Sequence, residues 1–251
     1  MREVWRMWNY ATMVVLTVLT AGLFAAILIP FKGIPLIPGL TELRPANVIP
    51  VVFGLLFGPA GAWGAAFGNL IGDFFGTLGI GSFFGFWGNF LAAYLPYKMW
   101  QNRPLDQISR QVPRFVATVL LGALSCALVI GFGVEAFKLL PFGIIAVAVL
   151  VNNGLVSLVL GPLLLRLLAP RVGRWDLAWR EQMDPEDCPS GTAPRLGLVL
   201  VWLGAGGGFL SGLVPGTGTG DHPRPAGPAS HAESLPGCPF GRVLAAVRFH
   251  W

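Results

Sequence analysis

Residues 46–97 read ANVIPVVFGLLFGPAGAWGAAFGNLIGDFFGTLGIGSFFGFWGNFLAAYLPY and contain one formal charge, Asp73. A single helix of this length would measure about 78 Å, whereas the hydrocarbon core of a bilayer is about 30 Å thick. Two breaks interrupt the run, at Gly58-Pro59 and at the glycine-rich stretch 77–82. We therefore expect three helices here, of which the first is short.

The rest of the composition agrees with a membrane location. Of the 251 residues, 12% are charged and 54% are hydrophobic, and the mean hydropathy is +0.67. A second apolar stretch, 115–165, contains only Glu135 and Lys138 as charges. Both stretches are continuously apolar instead of alternating between apolar and polar, which excludes a membrane β-barrel. The sequence predicts an all-α polytopic membrane protein.

Basic residues determine the predicted topology. They form three blocks beside the apolar runs: Arg2 and Arg6; Lys98, Arg103, Arg110 and Arg114; Arg166, Arg171, Arg174 and Arg180. Cytoplasmic loops carry such blocks, so all three are expected inside. Crossings over 8–29, 115–133 and 141–168, with three helices in 46–97, then give six. We expect a multi-pass plasma-membrane protein with a cytoplasmic N-terminus, and the net charge of +5 requires no nucleic acid.

The predicted organisation has four parts. Residues 1–170 form a six-helix substrate-binding membrane domain, and 171–195 form a polar cytosolic linker. The stretch 196–214 is apolar enough for a seventh crossing, but its glycines weaken a helix, so both readings stay open. Residues 215–251 are rich in Gly, Pro, Ala and Ser and are expected to be disordered.

The residues needed for catalysis are missing from the predicted helices. All three histidines lie in the tail: His222, His231 and His250. The predicted helices therefore lack a histidine metal ligand and a Ser/His pair. The three cysteines form no CxxC pair, and no GxxxxGK[ST] phosphate loop is present. We predict no enzyme activity, no metal and no cofactor.

One helix carries glycines at a strict spacing of four residues. They are Gly64, Gly68, Gly72 and Gly76. Residues four apart share a helix face, so this stripe predicts close packing against another helix.

Polar side chains within the apolar runs are the candidate substrate contacts. Asn69 and Asp73 lie one turn apart, Asn89 falls at a similar depth in the next helix, and Asn152 and Asn153 lie near mid-membrane in the sixth. An ionisable group at such depth is a functional-site candidate. Each asparagine either bonds to a neighbouring helix or contacts a ligand.

Two further features extend this candidate site. The loop before the second helix carries Glu42 and Arg44, which are expected at the outer face. Trp63 and Trp87 are expected to stack on a planar heterocycle.

The sequence resembles the S components, or substrate-binding subunits, of energy-coupling-factor (ECF) vitamin transporters. The segment 21–25, AGLFA, resembles the AxxxA motif of their first helix, and 49–59, IPVVFGLLFGP, resembles their short second helix with its GP turn. The resemblance covers roughly residues 10–168. It implies a six-helix bundle that binds a vitamin or related small heterocyclic micronutrient near the outer face.

The same resemblance implies partners. Ala21 and Ala25 would dock a transmembrane coupling subunit, and two ATPase subunits would supply the energy. The run Glu42-Leu43-Arg44 is loosely similar to the queuosine-precursor branch, while riboflavin-like and thiamine-like ligands stay open. Two alternatives also stay open: a self-contained secondary permease or channel, and a membrane anchor without a transport role.

Overall fold

The computed structural model describes residues 2–32, 35–37, 41–42, 44–76, 78–100, 105, 111–188 and 195–214. Its α-helices in these ranges are α1 (Arg2–Arg6), α2 (Ala11–Phe31), α3 (Val48–Phe57), α4 (Pro59–Asp73), α5 (Ile80–Trp100), α6 (Val112–Ala136), α7 (Phe142–Arg174), α8 (Trp179–Gln182) and α9 (Arg195–Leu213). Single 3-10 turns cover Met7–Asn9 and Pro45–Asn47. The predicted disordered tail, 215–251, lies outside the described residues.

The architecture is that of a polytopic all-α membrane protein, as predicted. Within the described ranges, three helical stretches are long and apolar enough to cross a membrane: α2, α6 and the stretch that begins at Phe142. A short antiparallel pair, β1 (Pro35–Ile37) and β2 (Thr41–Glu42), follows α2. Residues 46–97 form three helices, α3 to α5, with the first of them only ten residues long.

The turn between α3 and α4 depends on a glycine followed by a proline. Gly58 has a φ of +55°, a conformation that a Cβ would strain, and its N–H donates to Gly54 O to close α3. Pro59 then begins α4, where its missing N–H removes no helical hydrogen bond. The Gly-Pro pair thus reverses the chain direction within two residues.

The helix ends gather at two levels, which we call the basic end and the far end. At the basic end, Gly58 lies against Trp179, and Trp179 packs 5.6 Å from Tyr97. At the far end, Lys32 lies beside Asp73, and the first turn of α7 packs on the end of α6. The beginning of α2 and the end of α5 therefore share the basic end.

The glycine stripe of α4 faces α2. A Cβ at Gly64 would lie 2.4 Å from Thr20 Cβ, and one at Gly68 would lie 2.6 Å from Phe24 Cβ. A Cβ at Gly72 would lie 2.4 Å from Leu28 Cδ2. Such distances are shorter than van der Waals contact, so the two backbones approach as closely as they do only because these side chains are absent.

Gly76 does not take part in this packing. The helix ends at Asp73, three residues earlier than the spacing suggested, and Gly76 lies in the following turn with a φ of +124°. A Cβ there would meet nothing within 4 Å. Glycine is favoured at this position because other residues rarely adopt such a φ.

The stretch 196–214 forms a helix, α9, that lies beside α6. Ala205 packs near Leu121, Phe209 packs 5.9 Å from Phe142, and a Cβ at Gly212 would lie 2.4 Å from Phe142 Cε1. Gly204, Gly206 and Gly207 have no atoms near their Cβ positions. These three glycines lower the helix propensity of α9. They leave no gap in the packing, because no other part of the chain that the structure describes lies next to them.

The predicted polar linker is structured over much of its length. α7 continues to Arg174, and the following residues fold back onto the basic end. Trp179 is 5% exposed and Met183 is 4% exposed. These two apolar side chains within a polar segment explain why it packs instead of extending into solvent.

Candidate functional site

The 3-10 turn Pro45–Asn47 runs directly into α3 and reaches the middle of the bundle. Asn47 Nδ2 donates to Oδ1 of Asn153, and Ser157 Oγ donates to Asn47 O at 3.1 Å. Asn153 lies 11 residues into α7, about 17 Å along the helix axis from Phe142. Asn47 is therefore joined to α7 at mid-depth through both its side chain and its carbonyl.

The side chains around this point form what we call the central cluster: Asn47, Cys126, Asn153 and Ser157. The Cys126 thiol is fully buried and lies within hydrogen-bonding reach of Asn153. Polar groups in lipid are costly unless they find partners. The central cluster satisfies that need across three elements.

Asn89 lies in the turn of α5 that reaches this cluster through Gly88. The preceding residue, Gly88, faces α6, and a Cβ at Gly88 would lie 3.1 Å from Cys126 Sγ. Asn89 is 4% exposed, and its Nδ2 donates to Gly85 O at 2.9 Å. Among the described residues, its Oδ1 has no hydrogen-bond partner. A buried amide oxygen without a partner costs free energy, and a ligand N–H would satisfy it.

A second polar group, the far-end cluster, consists of Lys32, Asn69 and Asp73. Lys32 Nζ lies 3.6 Å from Asp73 Oδ1, and Asn69 Nδ2 donates to Asp73 Oδ2 at 3.1 Å. Asn69 is 2% exposed and Asp73 is 5% exposed. The lone carboxylate of the apolar run is thus neutralised by a lysine from the end of α2.

Gly85 connects the two clusters along α5. A Cβ at Gly85 would lie 2.8 Å from Asn69 Nδ2 and 3.9 Å from Asp73 Oδ2. The carbonyl of Gly85 accepts the hydrogen bond from Asn89, one helical turn nearer to the centre. Polar groups therefore follow α5 from the far end to mid-membrane.

The remaining predicted contacts are distributed differently. Asn152 is buried in α7 next to Asn153. Arg44 is half-buried just before the turn that contains Asn47. Glu42 belongs to β2, and its side chain lies outside the described part of the chain.

Trp63 and Trp87 belong to an aromatic cluster on the side of the bundle. Trp63 Nε1 donates to Val4 O at 3.0 Å, and the ring packs against Trp5 and Phe90 at 5.5 and 5.0 Å. Trp87 is 38% exposed. Trp63 is buried at 6% exposed, and both rings pack against other aromatic side chains.

The two alanines of the AxxxA segment are buried. Ala21 is 6% exposed and Ala25 is 5% exposed, and Ala21 O lies 2.9 Å from the Cβ position of Gly68. The neighbouring side of α2, about 100° round the helix, is exposed and includes Gly22 and Ala26, again four residues apart. A Cβ at Gly22 would meet nothing within 4 Å.

Comparison with known protein families gives one match. The model of that family, described as QueT transporter, matches residues 14–170, more than half of the chain. The chain belongs to the QueT transporter family. Members of this family are ECF S components for queuosine precursors. No curated protein and no solved structure shows significant similarity to the chain.

Membership confirms three predictions. The resemblance to ECF S components is correct. The family consists of transporters and not enzymes, as predicted. A membrane-embedded protein with a transport role is also confirmed. In the described ranges, no three His, Cys, Asp or Glu side chains come together as metal ligands, and we assign no residue to a metal or cofactor.

Four residues of the two clusters were missed from the sequence: Lys32, Asn47, Cys126 and Ser157. Two of them carried a usable signal. Ser157 follows Asn153 by four residues, which places both on one face of α7. Asp73 required a counterion, and Lys32 is the lysine between the first helix and the loop. The partners of Asn47 and Cys126 come from other helices, and no local pattern indicates them.

Proposed function

We propose that this QueT-family chain is the substrate-capture subunit of an ECF importer and binds a queuosine precursor at the central cluster. A transmembrane coupling subunit and two ATPase subunits complete the transporter. The chain lies in the plasma membrane with its N-terminus and its basic end in the cytoplasm, because arginines are concentrated on the cytoplasmic side of membrane proteins. Under this orientation, the far end faces outward.

One observation carries the proposal: the unpartnered Oδ1 of the buried Asn89. Asn47, Asn153 and Ser157 already satisfy much of each other's hydrogen bonding, so they form a prearranged polar wall. Asn89 adds an acceptor that still needs a donor. Queuosine precursors are modified guanine bases, whose edges present N–H donors next to acceptors, and such an edge matches amide side chains.

The far-end cluster supports entry from outside. Asn69, Gly85 and Asn89 place polar groups from the far end towards the centre. A polar base that moves inward along α5 would lose its hydrogen bonds to water one after another and form hydrogen bonds with these groups instead. We propose that Asn69 and Asp73 act in this entry and that Arg44, Asn152 and Asn153 act at the central cluster. Trp63 and Trp87 have no part in the proposed site.

For the coupling subunit, we propose the exposed side of α2 as the docking face. Docking through Ala21 and Ala25 would require α2 to separate from the glycine stripe of α4. Gly22 and Ala26 offer the same small-residue spacing on an exposed side, so a partner helix can approach without that separation.

We also propose that α9 is a seventh crossing. Its 19 residues span about 28 Å, close to the thickness of the hydrocarbon core. It extends along α6 from the level of Met99 to that of Phe142. Val214, at its end, would then lie outside.

The binding proposal is tested with the full chain in detergent. A radiolabelled queuosine precursor is titrated against the wild-type protein, Asn89→Leu and Thr17→Val. Thr17 is a matched control because its buried hydroxyl also bonds to a carbonyl one turn back, but it lies in α2. We expect Asn89→Leu to weaken binding about tenfold, the effect of one buried hydrogen bond, and Thr17→Val to bind normally. Equal affinities for all three proteins would refute a role for Asn89.

A further inference from the structure

The turn between α4 and α5, described at 74–76 and 78–79, is apolar and uncovered. From Phe74 to Tyr97 the chain contains no formal charge. Four large side chains in the turn or at its edge are 64%, 60%, 54% and 51% exposed: Phe74, Phe75, Leu78 and Ile80. Apolar side chains that are exposed next to one another mark an interaction surface.

The segments at the basic end differ, because charged groups hold them together. Burial alone would raise the pKa of the Glu3 carboxyl, but its ion pair with Lys98 lowers it, so the group stays ionised at neutral pH. Tyr10 Oη lies 3.0 Å from Asp184 Oδ2 and 2.9 Å from Asp187 Oδ2. The sequence of the α4–α5 turn offers no charge for such contacts.

α6 indicates how deep this turn lies in the membrane. Residues 115–134 of α6 carry no formal charge and are bounded by Arg114 and Glu135. This stretch of helix measures about 29 Å, close to the hydrocarbon thickness of about 30 Å. The two charged residues therefore mark the two boundaries of the hydrocarbon core, with Glu135 at the far end.

The packing of α5 on α6 relates the turn to this boundary. The ring of Phe84 occupies the space where a Cβ of Gly133 would lie, so the two residues share a level just inside the boundary. Ile80, four residues earlier in α5, lies about 6 Å further out. The headgroup layer extends about 5–8 Å beyond the core on each side. The turn that precedes Ile80 therefore lies at headgroup level and not in bulk water.

The exposed side of α5 continues the apolar surface of the turn towards the core. Ile80, Phe83 and Trp87 follow one another at spacings of three and four residues, which places them on one face of the helix. Phe83 is 61% exposed and Trp87 is 38% exposed. In a bundle that crosses the membrane, such a face contacts lipid. The surface of the turn is continuous with this lipid-facing side.

The backbone of the turn has internal hydrogen-bond partners. Phe75 N–H donates to Gly72 O at 3.0 Å. Just before α5, Gly79 N–H donates to Ser82 Oγ at 3.2 Å, and Ser82 N–H donates to Gly79 O at 3.0 Å. Backbone groups that lie away from water need partners of this kind.

We propose that the α4–α5 turn is a lipid anchor, whose apolar side chains insert at the boundary between headgroups and acyl chains. Under the proposed orientation, this boundary belongs to the outer leaflet. Phe74 directly follows Asp73, so the anchor fixes the depth of the buried Lys32–Asp73 pair. The inference concerns lipid and not the substrate, so it goes beyond the proposed function and does not depend on it.

The anchor is tested with the full chain in phosphatidylcholine nanodiscs. In a Cys188→Ser, Cys238→Ser background, Cys126 is kept because it is fully buried. A nitroxide is attached at Phe75→Cys or at Leu78→Cys, two exposed positions at which the replacement disturbs no core packing. The signal of the background without an added cysteine is subtracted.

Two reagents then distinguish lipid from water. Oxygen dissolves in hydrocarbon, whereas a polar nickel chelate stays in water, and power saturation measures the access of each to the label. Val151→Cys, on the exposed side of α7, is the lipid reference. Glu186→Cys, at an exposed carboxylate, is the water reference.

We expect oxygen to have greater access than the chelate at Phe75→Cys and Leu78→Cys, as at Val151→Cys, and the reverse order at Glu186→Cys. Shorter acyl chains move the hydrocarbon boundary inward. The access of the chelate to Phe75→Cys should therefore rise when dilauroyl lipid replaces dioleoyl lipid, while Val151→Cys stays unchanged.

Three results would overturn the anchor. Greater access for the chelate than for oxygen at both turn positions would place the turn in water. Low access for both reagents would show that protein, such as a second copy of the chain, covers the turn. Equal access in the two lipids would show that the hydrocarbon boundary does not reach it. None of these measurements involves a ligand, so failure of the anchor is distinguishable from failure to bind a queuosine precursor.

Discussion

Lys32 Nζ lies 3.6 Å from Asp73 Oδ1, with each side chain only 8% exposed. The pair joins the end of α2 to the end of α4 beyond the last packed glycine of the stripe. Two helices that touch backbone to backbone from Gly64 to Gly72 are thus joined at the far end by opposite charges. Separating α2 from α4 would expose both the packed surface and the buried ion pair. We therefore expect the two helices to move as one unit.

Breaking this pair from one side should destabilise the protein. Lys32→Met leaves the Asp73 carboxylate buried without its counterion, and loss of one partner of a buried pair typically costs about 3–5 kcal/mol. Lys32→Met with Asp73→Leu removes both charges and should recover most of the loss. Thermal unfolding in detergent measures the three proteins. A double variant no more stable than Lys32→Met would contradict this reading.

The glycine stripe gives a second prediction about stability. Gly68→Val places a Cβ 2.6 Å from Phe24 Cβ, and overpacking of this kind costs about 1–3 kcal/mol. Gly22→Ala is the matched control on α2, where a Cβ meets no atom within 4 Å and helix propensity improves. Melting temperatures should fall for the first variant and stay level or rise for the second.

The docking face is tested by a pair of adjacent residues. Gly22→Leu adds bulk to the exposed side of α2, so we expect normal folding and normal ligand binding but at least a tenfold loss of uptake. Ala21→Leu adds the same bulk against α4 and should lower the melting temperature. Uptake in cells, with copurification of the coupling subunit, measures both. Full uptake by Gly22→Leu would exclude this face.

The Glu3–Lys98 pair predicts an acid-sensitive contribution to stability. Because the folded-state pKa of Glu3 lies below the unfolded value of about 4.5, the contribution is present above pH 4.5 and disappears as the pH falls below it. Glu3→Gln should therefore melt lower than the wild type at pH 7, with a gap that narrows in acid. Glu186→Gln, which alters an exposed carboxylate, should show no gap at either pH.

Much of the membrane architecture could be predicted because its causes are local. The scarcity of charge in 46–97 required helices, and Gly58-Pro59 placed the first break where α3 meets α4. The four-residue spacing of Gly64, Gly68 and Gly72 indicated close packing before the partner helix was known. These patterns depend on neighbouring residues, so the sequence alone displays them.

Less of the candidate site could be predicted from the sequence. Asn89 and Asn153 were predicted to be buried amides, but the partner of Asn153 is Asn47, which lies 106 positions earlier in the 3-10 turn before α3. Likewise, the hydrogen bond from Trp63 to Val4 in the N-terminal segment has no counterpart in a spacing pattern. Contacts between residues more than a hundred positions apart leave no spacing pattern, so tertiary structure decides them.

The central claim is that the buried amides around Asn89 hold a queuosine precursor. Its most direct test is to purify the full chain from cells grown with a labelled queuosine precursor and to identify the copurified small molecule by native mass spectrometry. We predict one labelled base per wild-type protein and a large loss of that adduct in Asn89→Leu. Wild-type protein that emerges without the base, and binds none at micromolar concentration, would contradict the account.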